Sequence, residues 1–197
     1  MLKTENSLEM IFCLLLKQNK INENCFLNRN GLTQIVMPPS IKSIGNNAFN
    51  GCTNIIQVII PQTVTFIGSN AFLNCKSLKK IIIPSSVTSI GSYAFSGCAS
   101  LSEIVFQIPS SLISIGEGAF SGFTSLKSIT IPSSVSSIGK NAFSTYSLVN
   151  ITFMTPSSLT LIGESLFESC YTLNEIIIPL SVTSIGKKAF FNCSNLT

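Results

Sequence analysis

Histidine, aspartate and tryptophan are absent from the 197 residues, and only 10% of the chain is charged. Without histidine or aspartate the Ser-His-Asp and Cys-His relays have no parts to be built from, and histidine-based metal sites are excluded. All eight acids are glutamates: Glu5, Glu9, Glu23, Glu103, Glu117, Glu164, Glu168 and Glu175. Glu103 and Glu175 share a repeat position three repeats apart, about 14 Å at the usual ~4.7 Å strand spacing. That exceeds the roughly 10 Å within which paired carboxylates cooperate, so the chain reads as no enzyme, with no cofactor and no metal. No apolar run approaches the ~18 residues of a membrane span. No Cys-x-x-Cys pair is present for a zinc cluster, although the chain has seven cysteines.

What the sequence does have is a repeated sentence, "IPSSVTSIGSYAFSGCASL" at residues 83 to 101. Aligned on its central glycine, Gly45, Gly68, Gly91, Gly116, Gly139, Gly163 and Gly186 follow one another at intervals of 23 to 25 residues. A proline stands seven residues before each, and a phenylalanine four after, preceded by alanine in six copies and by Leu166 in the other. "LSEIVFQIP" and "LVNITFMTP" each carry two residues more than "LKKIIIP". Carried back one step, the register places Ile21, Phe26 and Leu32 on the pattern, so residues 1–32 read as a degenerate terminal repeat, with Met10 to Leu16 in the place of its strand. Residues 33–197 then hold seven repeats, the last incomplete, in a single domain. Such a period is the signature of a solenoid, because one unit of this size cannot bury enough apolar surface to offset the entropy of ordering it.

Each repeat converts into one coil. "LKKIIIP" alternates inward Leu78, Ile81 and Ile83, is rich in β-branched residues and ends in a proline, so it predicts a short strand. "SSVTSIG" brings in Val87 and Ile90 before Gly91, which is expected to permit a turn that other residues resist. "SYAFSGC" predicts a short helical or 3₁₀ turn pointing Ala94, Phe95 and Cys98 inward. Two residues after each proline stands a hydroxyl, Ser40, Thr63, Ser86, Ser111, Ser134, Ser158 or Ser181, expected to bond nearby main chain. Cys52, Cys75, Cys98, Cys170 and Cys193 occupy one position, which Phe123 and Tyr146 fill in the remaining repeats. A position that accepts phenylalanine packs a core, so buried free thiols are expected, with disulfides between adjacent repeats as the alternative. Cys13 and Cys25 follow no column.

The line LxxIxIPxxVxxIGxxAFxxCxxL, carried from about Ile21 to Leu196, resembles the BspA-type leucine-rich repeat. The resemblance implies an α/β leucine-rich-repeat solenoid, a right-handed horseshoe with a parallel β-sheet on its concave face and the helical or 3₁₀ turns opposite. It also implies adhesion to host proteins or other cells, and a cell-surface or extracellular location. On that strand face the outward positions are Val36, Ile59, Ile82, Val105, Thr130, Thr152 and Ile177, beside Gln34, Gln57, Lys80, Glu103, Ser128, Asn150 and Glu175. An apolar β-branched stripe beside a polar one predicts a protein-binding face, while β-branched residues also suit any strand.

The net charge of +4 is scattered, with Lys76, Lys79 and Lys80 the one notable cluster and no aromatic interleaving, which argues against nucleic acid. Near the N-terminus Glu5 and Glu9 interrupt what would otherwise resemble a secretion signal, and no small-residue cleavage site follows. A cytoplasmic location is therefore the alternative to the surface. Sequons stand at Asn150, Asn192 and Asn195. The chain stops where another strand should begin, which reads as a fragment of a longer array and leaves the uncapped last repeat open to end-to-end self-association. Two function classes follow: a module binding a protein ligand, and a structural or self-associating repeat scaffold.

Overall fold

The computed structural model describes residues 18–197; Cys13 and the strand expected at Met10 to Leu16 lie outside the described residues. Fifteen strands run through those residues in two alternating columns. The short column, two residues per coil, is β1 (Lys20–Ile21), β3 (Ser43–Ile44), β5 (Phe66–Ile67), β7 (Ser89–Ile90), β9 (Ser114–Ile115), β11 (Ser137–Ile138), β13 (Leu161–Ile162) and β15 (Ser184–Ile185). The long column is β2 (Gln34–Val36), β4 (Gln57–Ile59), β6 (Lys80–Ile83), β8 (Glu103–Phe106), β10 (Ser128–Ile131), β12 (Asn150–Phe153) and β14 (Glu175–Ile176). Every pair is parallel and joins one coil to the next, as in Ile82 opposite Val105 and Ile90 opposite Ile115. This is a parallel β-solenoid of about seven turns at about 23 residues each.

The short column is a second sheet that the repeat alone did not announce. "SSVTSIG" was expected only to carry two core residues into a turn, whereas its Ser-Ile pair forms a ladder of six successive strands. The side chains do what the alternation predicts. Leu78, Ile81, Ile83, Val87, Ile90, Ala94, Phe95 and Cys98 are all buried. Phe26, Phe49, Phe72 and Phe95 stack face to face at 5.1 to 5.2 Å, and the column continues through Phe120, Phe143, Phe167 and Phe190.

The helical or 3₁₀ turns do not form, so among the described residues the fold is all-β rather than α/β. In "SYAFSGC" only alternate amides bond locally: Ala94 N–H donates to Gly91 O, Ser96 to Tyr93 O and Cys98 to Phe95 O. The amides between them, of Tyr93, Phe95 and Gly97, donate instead to Glu117, Ala119 and Ser121 of the following coil. Left-handed residues at Tyr93 (φ 55°) and Gly97 (φ 69°) swing these peptides along the solenoid axis, and a helix cannot survive that alternation. The same two positions are left-handed in the preceding coils, at Asn47 and Gly51 and at Asn70 and Asn74, so the coil spends its local bonds on its neighbours.

The repeat glycine also has a different reason from the one expected. Gly91 has no positive φ; a Cβ there would stand 2.4 Å from Ser69 N and 2.6 Å from Gly68 C of the preceding coil. Close approach of stacked backbones, not turn conformation, requires glycine at this position.

Two departures interrupt the stack. The long column divides between β8 and β10, after the lengthened segment that contains Ile108 and Pro109. The short column divides between β11 and β13. There Leu166 replaces alanine, Phe143 and Phe167 stand 6.0 Å apart, and a Cβ on Gly163 would come no nearer than 3.3 Å to Ile138 O. A larger side chain in a column of alanines holds these two coils further apart.

Candidate functional site

The outward residues of the long column share one face, built by the period-two alternation of its strands. Gln34 pairs in register with Gln57, Gln57 with Lys80, and Lys80 with Glu103, while Val36 stands opposite Ile59 and Ile82 opposite Val105. Ser128 and Thr130 pair with Asn150 and Thr152, and Asn150 with Glu175. Ile177 falls just beyond the end of β14 and is 84% exposed. The fourteen residues therefore lie on one side of the solenoid, but in two separate ladders rather than one stripe. Over β2 to β8 the face is aliphatic, with Ile59 46% and Ile82 42% exposed. Over β10 and β12 it carries Ser128, Thr130, Asn150 and Thr152 instead.

Polar side chains on the first ladder are tied to one another. Gln34 Nε2 donates to Gln57 Oε1 at 2.7 Å, and Lys80 Nζ donates to Glu103 Oε1 at 2.7 Å. A groove of about 460 Å³ crosses β4 and β6, floored by Ile59 and Ile82, with Ile56 and Lys79 on one rim and Gln62 and Gln107 on the other. On that second rim Gln62 Nε2 donates to Gln107 Oε1 two coils away, and Ser85 Oγ donates to Gln62 Oε1 at 3.2 Å. A second groove of about 400 Å³ spans the division between β8 and β10, lined by Glu103, Val105, Ile108 and Thr130 among others. Ile56, Lys79, Gln62, Gln107 and Ile108 were not foreseen as site residues. They lie just outside the strands, where the strand pattern stops assigning a direction to side chains.

The remaining columns are structural. Each column cysteine donates its thiol to the phenylalanine carbonyl of the preceding coil, Cys52 to Phe26 O at 2.9 Å, Cys98 to Phe72 O at 3.2 Å and Cys170 to Phe143 O at 3.0 Å. These cysteines are free, so the disulfide alternative is not the one the fold adopts. Burial pushes the Cys52 thiol up to about 11 and the Cys170 thiol up to about 12, while a hydrogen bond with Cys98 and then burial raise that of Cys75. Phe123 fills the cysteine position as expected, but Tyr146 does not. Its repeat is one residue shorter between Gly139 and Leu148, so Thr145 is buried in its place and Tyr146 turns outward to stack on Tyr171.

The hydroxyl column works in four coils. Thr63, Ser86, Ser134 and Ser181 donate to Ile41 O, Val64 O, Leu112 O and Leu159 O of the preceding coil at 2.6 to 2.8 Å. Ser111 and Ser158 follow the lengthened segments and bond through their backbone amides instead, and Ser40 Oγ is buried without a partner. Among the described residues no group of three or more Cys, His, Asp or Glu is placed to hold a metal, and no helix is long and apolar enough to cross a membrane.

The family described as BspA type leucine rich repeat region matches residues 19–107 and 105–197, in six copies. No curated protein matches the chain. Among solved structures, it is similar to a leucine-rich cell surface protein of Faecalibacterium prausnitzii (29% identity, TM-score 0.59, 91% of this chain and 63% of that one). It is also similar to the leucine-rich repeat protein of T. pallidum (29% identity, TM-score 0.63, 90% and 71%). The pneumococcal vaccine antigen PcpA shares the fold at 22% identity (TM-score 0.69, 89% and 54%). The chain thus spans under two thirds of the first and third of these proteins.

Proposed function

We propose that this chain, which belongs to the BspA-type leucine-rich repeat family, is a non-enzymatic protein-binding module that meets its partner with the outward face of its long strands. One observation carries the reading: Ile59 and Ile82 stand exposed on neighbouring strands, on the floor of a groove, while the residues flanking each along the chain, Val58, Ile60, Ile81 and Ile83, are buried core. Isolated exposed aliphatics are common, but contiguous ones flanked by polar side chains mark binding surfaces. Similarity to the leucine-rich cell surface protein of F. prausnitzii supports an adhesive role at the cell surface. Charge substitution of Ile59→Glu with Ile82→Glu is expected to abolish capture of the partner while circular dichroism and urea unfolding stay those of the parent. A folded double variant that still captures would refute the reading. Staining of intact cells against permeabilised ones tests the location, surface signal being the expected result.

A further inference from the structure

We infer that the partner is engaged through a segment carrying carboxylates beside aliphatic side chains, and that this segment lies in the groove over β4 and β6, not on the hydroxyl-bearing ladder. This rests on the reading that the strand face is the binding surface, and narrows it in place and in chemistry. Charge is the first ground. Between residues 18 and 107, Lys20, Arg29, Lys42, Lys76, Lys79 and Lys80 are opposed only by Glu23 and Glu103, whereas from residue 108 onward four lysines balance four glutamates. The excess cationic charge of the described coils is therefore confined to the half that carries the aliphatic groove.

Within that half the charge is placed where a ligand would meet it. Lys79 and Lys80 line the groove and no carboxylate does. Glu103, the ion-pair partner of Lys80, belongs to the neighbouring groove, which has no lysine in its lining. Among the described residues no carboxylate lies within ion-pair distance of Lys79, which stands on the rim beside Ile56, itself 50% exposed. A carboxylate arriving at this rim meets an unneutralised ammonium, and its aliphatic neighbours cover Ile56, Ile59 and Ile82. The opposite rim is closed by the Ser85–Gln62–Gln107 hydrogen bonds, whose amides offer donors and acceptors to the main chain of an extended segment. The groove reaches from β4 to Gln107 just past β8, two strand spacings or roughly 10 Å, a fit for three or four extended residues. The hydroxyl ladder has one lysine beside it, Lys127 before β10, and that residue does not line its groove; the ladder also lacks the aliphatic floor.

The test is selection from a random dodecapeptide display library on the immobilised chain. Recovered peptides are expected to be enriched in Glu or Asp next to Ile, Leu or Val, and to bind less tightly as salt is raised. Their affinity is expected to fall at least tenfold in Lys79→Glu and in the milder Lys79→Ala/Lys80→Ala variant, and to stay within twofold in Thr130→Lys/Thr152→Lys. A recovered pool without acidic enrichment overturns the inference. So does an acidic pool that the lysine variants bind equally well. A pool lost only in Thr130→Lys/Thr152→Lys overturns the inference and leaves the strand face as the binding surface, whereas a pool indifferent to all of these and to Ile59→Glu/Ile82→Glu removes the strand-face reading as well.

Discussion

The glycine column offers a comparison in which one chemical change is made at two equivalent positions and the structure demands different results. At Gly91 an added Cβ would lie 2.4 Å from Ser69 N, about 1 Å inside ordinary van der Waals contact. The obstacle is backbone of the preceding coil, which cannot rotate aside, so the coils must separate there. The amides of Gly91 and Thr88, bonded to Ile67 O and Thr65 O at 2.8 Å, lose their partners first. Two or three such bonds at about 1 kcal/mol each, offset by roughly 0.4–1 kcal/mol from the stiffer unfolded chain, give a net loss of about 2 kcal/mol for Gly91→Ala. At Gly163 the nearest atom is Ile138 O at 3.3 Å, and no amide bond of Gly163 to that carbonyl exists to be broken. Gly163→Ala is expected to fall within about 1 kcal/mol of the parent. Urea unfolding of both variants, with comparable slopes, measures the difference. Equal losses at the two positions would refute close approach as the reason for the column. Conformational freedom would not rescue it, since neither glycine has a positive φ.

Further outcomes follow from the core and the joints. Phe95→Ala, which empties the middle of the stacked column, is expected to cost about 3–5 kcal/mol in the same assay; a loss below 1 kcal/mol would mean the column does not bear on stability. Iodoacetamide at pH 8 should modify exposed Cys25 well before Cys52 or Cys170, as mass spectrometry of the native chain would show; uniform labelling would contradict their burial. Because folding raises the Cys52 and Cys170 thiols to about 11 and about 12 from an ordinary 9, the folded state keeps protons that the unfolded chain gives up. Their contribution is complete below pH 9 and is lost as pH rises through 11 to 12, so the parent should lose stability over that window more steeply than Cys52→Ala/Cys170→Ala. Hydrogen exchange should be faster at the amide of Gly163 than at that of Gly91, whose ladder bond is intact; equal protection would count against a loosened joint between β11 and β13.

The inward half of this molecule was readable from sequence because every coil faces the same two neighbours. A residue such as Phe95 sees Phe72 on one side and Phe120 on the other, so one side chain solves the packing problem in each repeat and periodicity reports it directly. Hydrogen-bond direction leaves no such trace. The alternation that replaces the expected helical turns depends on left-handed backbone at positions occupied by Asn24, Asn47, Asn70, Tyr93, Gly118, Asn141, Ser165 and Lys188, a set with no common side-chain chemistry apart from its asparagines. The fit of Tyr146 failed for a related reason, since a one-residue deletion moves a side chain from inside to outside while the sequence still aligns.

On the outward face the relation between repetition and meaning reverses. A solvent-facing position has no neighbour that compels it, so the pattern places all fourteen outward residues on one face but does not say which of them form a surface. That distinction comes from where the repeat deviates. The long ladder divides and the aliphatic floor ends at Val105, beside the two added residues around Ile108, and Gln62 closes a rim with Gln107, which the lengthened segment supplies. Removing the two extra residues, so that "QIP" becomes a single proline, is expected to join β8 to β10 and deprive Gln62 of its partner. If the groove depends on this deviation, the shortened chain will be at least as stable as the parent in urea yet bind acidic peptides more weakly. If instead its binding is unchanged, the regular strand face suffices and the lengthened segment has no part in recognition.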